Sequence, residues 1–314
     1  MSSPSEIEGL IRNMEQVIFG KTEAIRQVTA TLLAGGHVLI EDVPGVGKTY
    51  LARSLALSVT GDFKRIQVTP DLLPTDVTGV SIYNQKTKGF EFREGPVFTN
   101  VLLADELNRA TPRTQSALLE CMEERQVSSD GITHKLPQPF FVIATQNPIE
   151  QQGVYHLPEA QLDRFLIQIS IGYPKHFTEM DIVNAQRKRH PIEDIEPVLE
   201  ISQILEMQEK VREVYVDEAL RDYIVKIVEQ TRSHPQLLLG GSPRASLALF
   251  RMGQAMAYLS GGDFVLPDVI KSLAGPVLRH RLILQPQARL GGVTPDQIIQ
   301  DIIDKTSVPV TRIQ

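Results

Sequence analysis

Short apolar runs alternate with helical patterns between residues 21 and 177. The runs contain few polar interruptions, which is typical of strands that are buried on both faces of a parallel sheet. Their alternation with helices predicts an α/β domain whose parallel sheet is covered by helices. The five runs are HVLIE, FKRIQVT, NVLLADE, FFVIATQ and FLIQISI, which begin at residues 37, 63, 100, 140 and 165.

Helical periodicity replaces the strand-like runs from about residue 178 onward. Glycine and proline in Gly172-Tyr173-Pro174 end the fifth predicted strand and mark a boundary between two domains. We therefore predict an α/β core at residues 1–174, including an N-terminal helix, and a smaller all-helical lid at residues 175–314. Helices of the lid are predicted at residues 201–215, 217–232, 246–259 and 267–284.

Two segments of the core interrupt this alternation of strands and helices. In the first, residues 80–84 and 89–93 alternate around a polar centre at residues 85–88. In the second, residues 126–135 alternate around Asp130-Gly131, a dipeptide that favours tight hairpin turns. Both patterns predict β-hairpins that are inserted into the α/β core.

Composition narrows the classes of protein to which the chain can belong. Its 314 residues include 32 Lys and Arg and 38 Asp and Glu, and the formal net charge of −6 argues against a broad nucleic-acid footprint. The single cysteine, Cys121, lies with Leu118 and Met122 on one helix face, which predicts a buried thiol. The apolar runs are shorter than the roughly 20 residues that cross a bilayer, and the N-terminus lacks a secretory pattern, so we expect a cytoplasmic protein.

The segment from Asp42 to Thr49 follows the first predicted strand and precedes a helical pattern. Its glycines let successive backbone N–H groups face phosphate oxygens, while Lys48 can meet the β- and γ-phosphates and Thr49 can bind Mg²⁺. Asp42 stands where the usual pattern has its first glycine, and we expect the turn to survive because aspartate tolerates a left-handed backbone. The sequence predicts a nucleotide-binding P-loop with the contact residues Val43, Pro44, Gly45, Val46, Gly47, Lys48, Thr49 and Tyr50.

Two further strand ends carry polar side chains suited to phosphoryl transfer. The third predicted strand ends at Asp105 and Glu106, of which Asp105 would bind Mg²⁺ and Glu106 would polarise the attacking water. The fourth ends before Asn147-Pro148, at the edge where open α/β sheets bind ligands, so Asn147 can orient the water or contact the γ-phosphate. The alternatives are a helix-capping pair for the two acids and a simple Asx turn before the proline.

Four stretches of sequence, in order from Glu41 to Ala245, resemble AAA+ ATPases and, within that superfamily, the MoxR group. They are EDVPGVGKT, LLADELNRATPRTQSALLECMEE, ATQNPIEQQGVYHLPEAQLDRF and GGSPRA. The resemblance implies ATP and Mg²⁺ as cofactors and a homo-oligomeric, hexameric ring. It also implies chaperone-like remodelling or maturation of protein clients, often with a partner that contains a von Willebrand factor A domain. The two hairpins correspond to the helix-2 insert and the pre-sensor-1 insert of this branch.

The resemblance also assigns roles to side chains outside the P-loop. Asn147 matches sensor 1, and Arg164 in LDRF matches the arginine finger that one subunit lends to its neighbour's γ-phosphate. A guanidinium in that place is worth about 10³ to 10⁵ in rate, and a salt bridge to a nearby acid is the alternative for Arg164. Arg244 matches sensor 2 and follows Ser242-Pro243, which predicts a helix start; whether it contacts its own or the neighbour's nucleotide stays open.

The stretch before the first core helix carries a weaker signal. Ile18, Phe19 and Gly20 resemble the segment of AAA+ proteins that contacts adenine, although a strip packed beside a helix would have the same pattern. No role follows from the sequence for Asn108, Arg109 and Arg113.

Aromatic residues of the first predicted hairpin have two candidate uses. Tyr83, Phe90 and Phe92 are suited to cross-strand packing within the hairpin, which is the preferred prediction. The alternative is contact with a client in the pore of the ring.

Three other functions compete with a chaperone-like ATPase. Helicase rings share both inserts, so an ATP-driven nucleic-acid motor is one alternative, although the acidic balance and the few basic residues at the hairpin tips argue against it. The motor subunit of a metal chelatase is the second. The third is a nucleotide switch that does not hydrolyse, which a Glu106→Gln substitution would separate from an ATPase.

Overall fold

A five-stranded parallel sheet forms the centre of the first half of the chain. The structure, a computed structural model, describes residues 4–148, 153–187 and 189–309. Strands in these ranges are β1 (Val38–Glu41), β2 (Phe63–Gln67), β3 (Gly79–Asn84), β4 (Gly89–Glu94), β5 (Val101–Asp105), β6 (Gln126–Ser129), β7 (Ile132–Lys135), β8 (Phe141–Gln146), β9 (Ile167–Ile169), β10 (Leu237–Leu239) and β11 (Ile283–Leu284). The central sheet has the order β2-β5-β8-β1-β9 with every neighbouring pair parallel, which confirms the predicted parallel sheet.

Helices connect these strands and make up most of the second half of the chain. Those in the described ranges are α1 (Pro4–Glu15), α2 (Thr22–Leu33), α3 (Lys48–Ser58), α4 (Pro74–Thr78), α5 (Pro112–Glu124), α6 (Glu159–Leu162), α7 (His176–Ala185), α8 (Ile201–Glu213), α9 (Glu218–Ser233), α10 (Pro243–Leu259), α11 (Pro267–Leu278), α12 (Pro286–Leu290) and α13 (Pro295–Lys305), with 3₁₀ helices at Leu107–Arg109, Pro191–Asp194 and Arg279–Arg281. Within the described part of the chain, no helix is both long enough and apolar enough to cross a membrane.

Successive residues of the central strands pack into two hydrophobic clusters, one on each face of the sheet. Val101 and Leu103 of β5 belong to the cluster that contains α2, α3 and the lid helices. Leu102 and Ala104 belong to the cluster that contains α5. Because side chains alternate between faces along a strand, burial on both faces requires apolar residues at every position. This explains why β1, β5 and β8 appear in the sequence as continuous apolar runs. The prediction of burial on both faces is wrong for β2, which lies at the edge of the sheet and buries only Ile66.

The parallel arrangement gives the sheet two chemically different edges. Ile40 of β1 pairs with Thr145 of β8, and Gln67 of β2 pairs with Asp105 of β5. The segments that follow these strands therefore meet at one edge, which we call the carboxyl edge. The segments that precede β1 and β9 lie at the opposite, amino edge.

Two antiparallel hairpins project from the core, as the sequence predicts. Tyr83 and Phe90 lie directly opposite each other in the β3–β4 register, with ring centroids 5.5 Å apart in an edge-to-face arrangement. Phe92 stacks on His134 of the second hairpin, β6–β7, at 4.0 Å. Cross-strand packing is therefore confirmed for the Tyr83–Phe90 pair. Phe90 is nevertheless 76% exposed.

The lid packs directly on the core through α10. Ile25 and Val28 of α2 share one buried cluster with Leu249 and Met252 of α10. The Thr31 hydroxyl of α2 also donates to the sulfur of Met252 at 3.6 Å. The hydrophobic core therefore continues from the sheet into the lid.

The helix predicted at residues 267–284 is shorter than expected. α11 ends at Leu278, and Ile283 and Leu284 form β11, which pairs antiparallel with β10. Between them, the buried side chain of Arg281 bonds to backbone carbonyls of the core, which fixes the 3₁₀ turn that ends the helix. A strand of two apolar residues has no periodicity of its own, so the sequence pattern extended the helix through it.

Burial makes the single thiol inert. Cys121 is buried on α5, as predicted, and desolvation raises its pKa to about 12. Since the thiolate is the reactive form, we expect no labelling by a disulfide reagent at pH 8 in the folded protein and one equivalent after unfolding in urea. Colorimetric thiol titration measures both values, and Cys121→Ser should label in neither state. Stoichiometric labelling of the folded wild type would contradict the buried placement.

Candidate active site

The P-loop connects β1 to α3 at the carboxyl edge of the sheet. Gly45 and Gly47 have φ values of +85° and +94°, a left-handed region that glycine adopts without strain. Lys48 begins α3, and its Nζ donates to the Asp42 carbonyl at 2.7 Å and to the Gln146 carbonyl at 3.4 Å. The free N–H groups and dipole of a helix start favour an anion at this place.

Asp42 keeps the loop in place by a different route from the one expected. Its backbone is not left-handed; instead its carboxylate accepts hydrogen bonds. Oδ1 accepts from the N–H of Val43 at 2.8 Å, and Oδ2 accepts from the Ser170 hydroxyl at 2.9 Å and from the N–H groups of Ile171 and Gly172 at 2.7 and 2.6 Å. The turn survives, as expected, but without the left-handed backbone that aspartate tolerates. The aspartate ties the P-loop to the chain that leaves β9.

Thr49 and Asp105 lie close enough to share a metal ion. The Thr49 hydroxyl is 3.5 Å from Asp105 Oδ2, and Asp105 Oδ1 accepts from the Thr145 hydroxyl at 2.6 Å. A hydroxyl and a carboxylate beside a phosphate-binding loop are the oxygen ligands that Mg²⁺ prefers. Arg65 of β2 also donates to Asp105 Oδ2, at 2.8 Å. Because the Arg65 side chain is 45% exposed, it can leave this oxygen at little cost.

Glu106 follows β5 in a strained conformation that directs it away from the strand. Its φ is +61°, and its N–H donates to the Thr145 hydroxyl at 2.9 Å. Its Oε2 accepts from Gln67 Nε2 at 3.0 Å and pairs with Arg109 Nε at 3.1 Å. The contacts fix the carboxylate at the carboxyl edge, next to Asp105.

Three residues of this group were not predicted: Arg65, Gln67 and Thr145. The first two are on β2, and each faces one of the two acids that end β5. Thr145 bonds to both Asp105 and the Glu106 backbone. In the sequence, the signal that could have identified such residues is a polar side chain near the end of an apolar run. To interpret this signal, one must know which strands are neighbours in the sheet.

Asn147 is buried at the end of β8, at the same edge. Its carbonyl accepts from Asn108 Nδ2 at 3.4 Å, and the Asn108 carbonyl accepts from the N–H of Tyr155 at 2.7 Å. Asn108 Oδ1 is buried and has no hydrogen-bond partner among the described residues. The sequence left Asn108 and Arg109 without roles; in the structure, one supports the Asn147 backbone and the other pairs with Glu106. Arg113 is exposed.

The candidate adenine segment lies beside the P-loop. A Cβ atom at Gly47 would be 4.0 Å from Cδ1 of Ile18, which is itself buried in the core. Gly20 has a φ of +65° and faces Thr178 of α7, while Phe19 is half-buried. The segment therefore packs in the core and also lies near the nucleotide loop. The two predicted uses, packing and adenine contact, do not exclude each other.

Tyr50 is the third residue of α3, in the first turn after the loop, and contacts His190 of the lid. Its ring stacks on His190 with centroids 4.1 Å apart and planes 15° from parallel. This contact is part of the packing between α3 and the chain that follows α7.

Arg164 and Arg244 lie at the amino edge. Arg164 Nε is 3.1 Å from Glu123 Oε2, and Arg244 Nη2 is 2.5 Å from Glu123 Oε1. The shared carboxylate opens on a cleft of about 310 Å³ between core and lid, whose walls include Gly35 and Gly36 at the start of β1. The structure brings the two arginines together with each other, not with the P-loop of their own chain.

Replacing Asp42 should destabilise the fold in a pH-dependent way. Burial raises its pKa, but the hydrogen bonds from Gly172, Ser170 and their neighbours outweigh burial and lower the pKa below its usual range. This stabilisation is present above the unfolded pKa of about 3.9 and is lost as the pH falls through the folded pKa. Asp42→Asn leaves one acceptor oxygen for the N–H of Val43 and for the donors of residues 170–172. We therefore expect the free energy of unfolding to fall by about 1 to 3 kcal/mol at neutral pH.

Urea unfolding followed by circular dichroism at pH 7 and at about pH 3 measures this effect, because the gap between Asp42→Asn and wild type should narrow in acid. Asp217→Asn is the matched control, since it removes a carboxylate that accepts from the Ala219 N–H at 2.8 Å in the lid. The control should leave nucleotide affinity unchanged, whereas Asp42→Asn should weaken it. An equal gap at both pH values would contradict the assignment.

Known proteins share both the sequence and the fold of this chain. It matches the ATPase family associated with various cellular activities (AAA) over residues 37–167 and the AAA lid domain over residues 229–302. It is 52% identical over 302 residues to the uncharacterised protein YeaC of Bacillus subtilis (strain 168), covering 96% of this chain and 94% of that protein. It is 41% identical over 312 residues to Chaperone MoxR1 of Mycobacterium tuberculosis, covering 96% and 82%.

A crystal structure from Cytophaga hutchinsonii is 39% identical, with a TM-score of 0.91 and coverage of 98% of this chain and 96% of that one. The fold is therefore shared over nearly the whole length of both chains. The chain belongs to the MoxR group of AAA+ ATPases.

Proposed function

We propose that this ATPase hydrolyses ATP with Mg²⁺ as one subunit of a hexameric ring and uses the turnover to remodel or mature protein clients. The observation that carries the ring proposal is the division of the catalytic groups between the two edges of the sheet. Lys48, Asp105 and Glu106 lie at the carboxyl edge, and Arg164 and Arg244 at the amino edge.

The distance between the edges supports action on a neighbouring subunit. Arg164 precedes β9, whereas Ser170 follows it and bonds to the P-loop aspartate. The three extended residues of β9 alone span about 10 Å, at about 3.3 Å each. The Arg164 side chain lies before this strand and is held by Glu123, away from its own P-loop, so Arg164 serves the nucleotide of another subunit, and Arg244, which shares its carboxylate, does the same.

In the proposed site, each group at the carboxyl edge has a separate task. Lys48 neutralises the β- and γ-phosphates, and Thr49 and Asp105 hold Mg²⁺, which offsets charge on the transferring phosphate when bound. Glu106 polarises the attacking water, and Asn147 orients it. Gln67 and Arg109 hold the Glu106 carboxylate in position.

At the amino edge, Glu123 holds the two arginines until a neighbour's triphosphate replaces it. The side chains of the two ion pairs are between 28% and 52% exposed, so exchanging the carboxylate for a phosphate costs little. The guanidinium of Arg164 then stabilises charge on the phosphoryl group. Hydrolysis in this proposal needs two adjacent subunits.

The client proposal rests on similarity and on exposed apolar groups. Chaperone MoxR1 is 41% identical to this chain. Tyr83, Phe90 and Ile132 are exposed on the two hairpins, where they offer apolar contacts to a client polypeptide. We further propose a partner with a von Willebrand factor A domain, a division into domains at residues 1–174 and 175–314, and a cytoplasmic location, which suits a chain with one buried thiol.

Glu106→Gln should separate binding from hydrolysis. We expect ATP affinity to stay close to the wild-type value, while turnover falls by about 10² or more, because a glutamine cannot accept a proton from water. Lys48→Ala should instead weaken ATP binding. Fluorescent-nucleotide titration and a phosphate-release assay measure the two effects, with Glu124→Gln, an exposed acid on α5, as the control. Unchanged turnover in Glu106→Gln would remove this residue from catalysis.

Arg164→Ala should lower ATP turnover through its effect on the neighbouring subunit's site and not on its own. ATP affinity should be retained, and turnover of the assembled ring should fall by about 10³ or more. Mixing Arg164→Ala subunits with Glu106→Gln subunits should restore part of the activity, because the latter still supply an arginine to intact Glu106 sites. Arg189→Ala, which removes an exposed ion pair with Asp194, is the control. Mixed rings without restored activity would contradict action on the neighbour.

A further inference from the structure

Lid residues hold the segment that carries the proposed arginine finger, which we call the finger segment (residues 163–166). The side chain of Arg281, in the 3₁₀ turn before β11, is 3% exposed. Its Nε donates to Asp163 Oδ1 at 2.6 Å, its Nη2 to the Phe165 carbonyl at 2.7 Å and its Nη1 to the Leu166 carbonyl at 3.2 Å. One lid guanidinium therefore bonds to three residues of the finger segment.

The same aspartate also reaches the start of α10, which carries Arg244. Asp163 Oδ2 accepts from the Ser242 hydroxyl at 2.8 Å, and the Ser242 oxygen accepts from the N–H of Arg244 at 3.1 Å as the helix N-cap. From the turn that contains Arg281, His280 Nε2 donates to the Phe165 carbonyl at 3.1 Å. The Asp163 carboxylate thus joins the finger segment to the lid at two places.

Burial makes this junction stiff. A buried guanidinium is stable only while its charge and its N–H donors are satisfied, and removing one partner leaves the other uncompensated. Apart from a bond to the Val277 carbonyl of α11, the recorded partners of Arg281 all belong to the finger segment. Lid and finger segment therefore cannot separate without exposing or stranding a charge.

We propose that Arg281 and Asp163 are positioning residues that fix Arg164 relative to Arg244, so that both arginines move with the lid as one unit. The proposal rests on the proposed function, in which these arginines act on a neighbour's nucleotide. In this proposal Arg281 and Asp163 act through the two arginines and not by contact with the nucleotide. Their effect is on geometry, and a displacement of about 1 Å can cost about 10²-fold in rate.

Three substitutions and one control test the junction. Arg281→Met removes every hydrogen bond that residue 281 makes to the finger segment and keeps an apolar side chain in its place. Arg281→Lys keeps the charge but replaces the planar fork with a single ammonium, so its effect should be intermediate. Asp163→Asn keeps the shape at a side chain that is 15% exposed, and it tests the junction if Arg281→Met does not fold. Arg279→Met is the control, because Arg279 lies in the same turn but pairs with Asp296 of α13.

Expected results distinguish positioning from a general loss of structure. In assembled rings, Arg281→Met and Asp163→Asn should lower turnover by about 10- to 100-fold, with ATP affinity unchanged. Mixing either variant with Glu106→Gln subunits should restore turnover, since the variant keeps its own P-loop and receives intact arginines. Arg279→Met should stay near the wild-type turnover. A misfolded variant would show no such restoration.

Two outcomes would overturn the inference. Folded Asp163→Asn rings with wild-type turnover would show that the junction does not position the arginines. A loss of turnover that Glu106→Gln subunits do not restore would locate the defect in the variant's own site. Arg164→Ala, measured in parallel, separates this failure from failure of the ring proposal. If Arg164→Ala keeps full turnover, the proposed action of Arg164 on a neighbour is wrong. If Arg164→Ala loses turnover and Asp163→Asn does not, only the positioning role is wrong.

Discussion

Parallel pairing within the central sheet decides at which edge Lys48, Glu106 and Arg164 lie. Because all five strands of this sheet point the same way, the loops after β1, β5 and β8 must meet at one edge, and the segment before β9 must lie at the other. Burial on both faces fixes the register, since a slip by one residue would turn each side chain towards the opposite cluster. The separation of Glu106 from Arg164 follows from the pairing itself.

The charged groups at both edges are already paired within the protein. Asp105 bonds to Arg65, Glu106 to Gln67 and Arg109, and Arg164 and Arg244 share Glu123. A ligand must therefore replace protein contacts, so its net binding energy is a difference between two similar interactions. Since at least one partner of each ion pair is partly exposed to solvent, the exchange costs little, which suits a site that turns over.

The sequence predicted the features that depend on neighbouring residues. The five parallel strands, the burial of β1, β5 and β8, both hairpins, the Ser242 helix start and the buried Cys121 are local patterns, and the structure confirms them. Features that depend on distant residues were missed. Asp42 bonds to Ser170 and its neighbours, Gln67 meets Glu106 only through strand order, and Arg281, to which the sequence assigned no role, is buried against the finger segment.

β9 links the two edges of the site mechanically. At its amino end, the finger segment is bonded to the lid through Arg281, and at its carboxyl end, Ser170 to Gly172 are bonded to the Asp42 carboxylate of the P-loop. The strand between these junctions has only three residues and is paired with β1, so it has little room to deform. Coupling between sites needs a contiguous chain of packed or bonded elements, and this strand supplies one. The structure therefore contains a continuous bonded path from the lid to the nucleotide loop through one short strand, in addition to the apolar contact of α10 with α2.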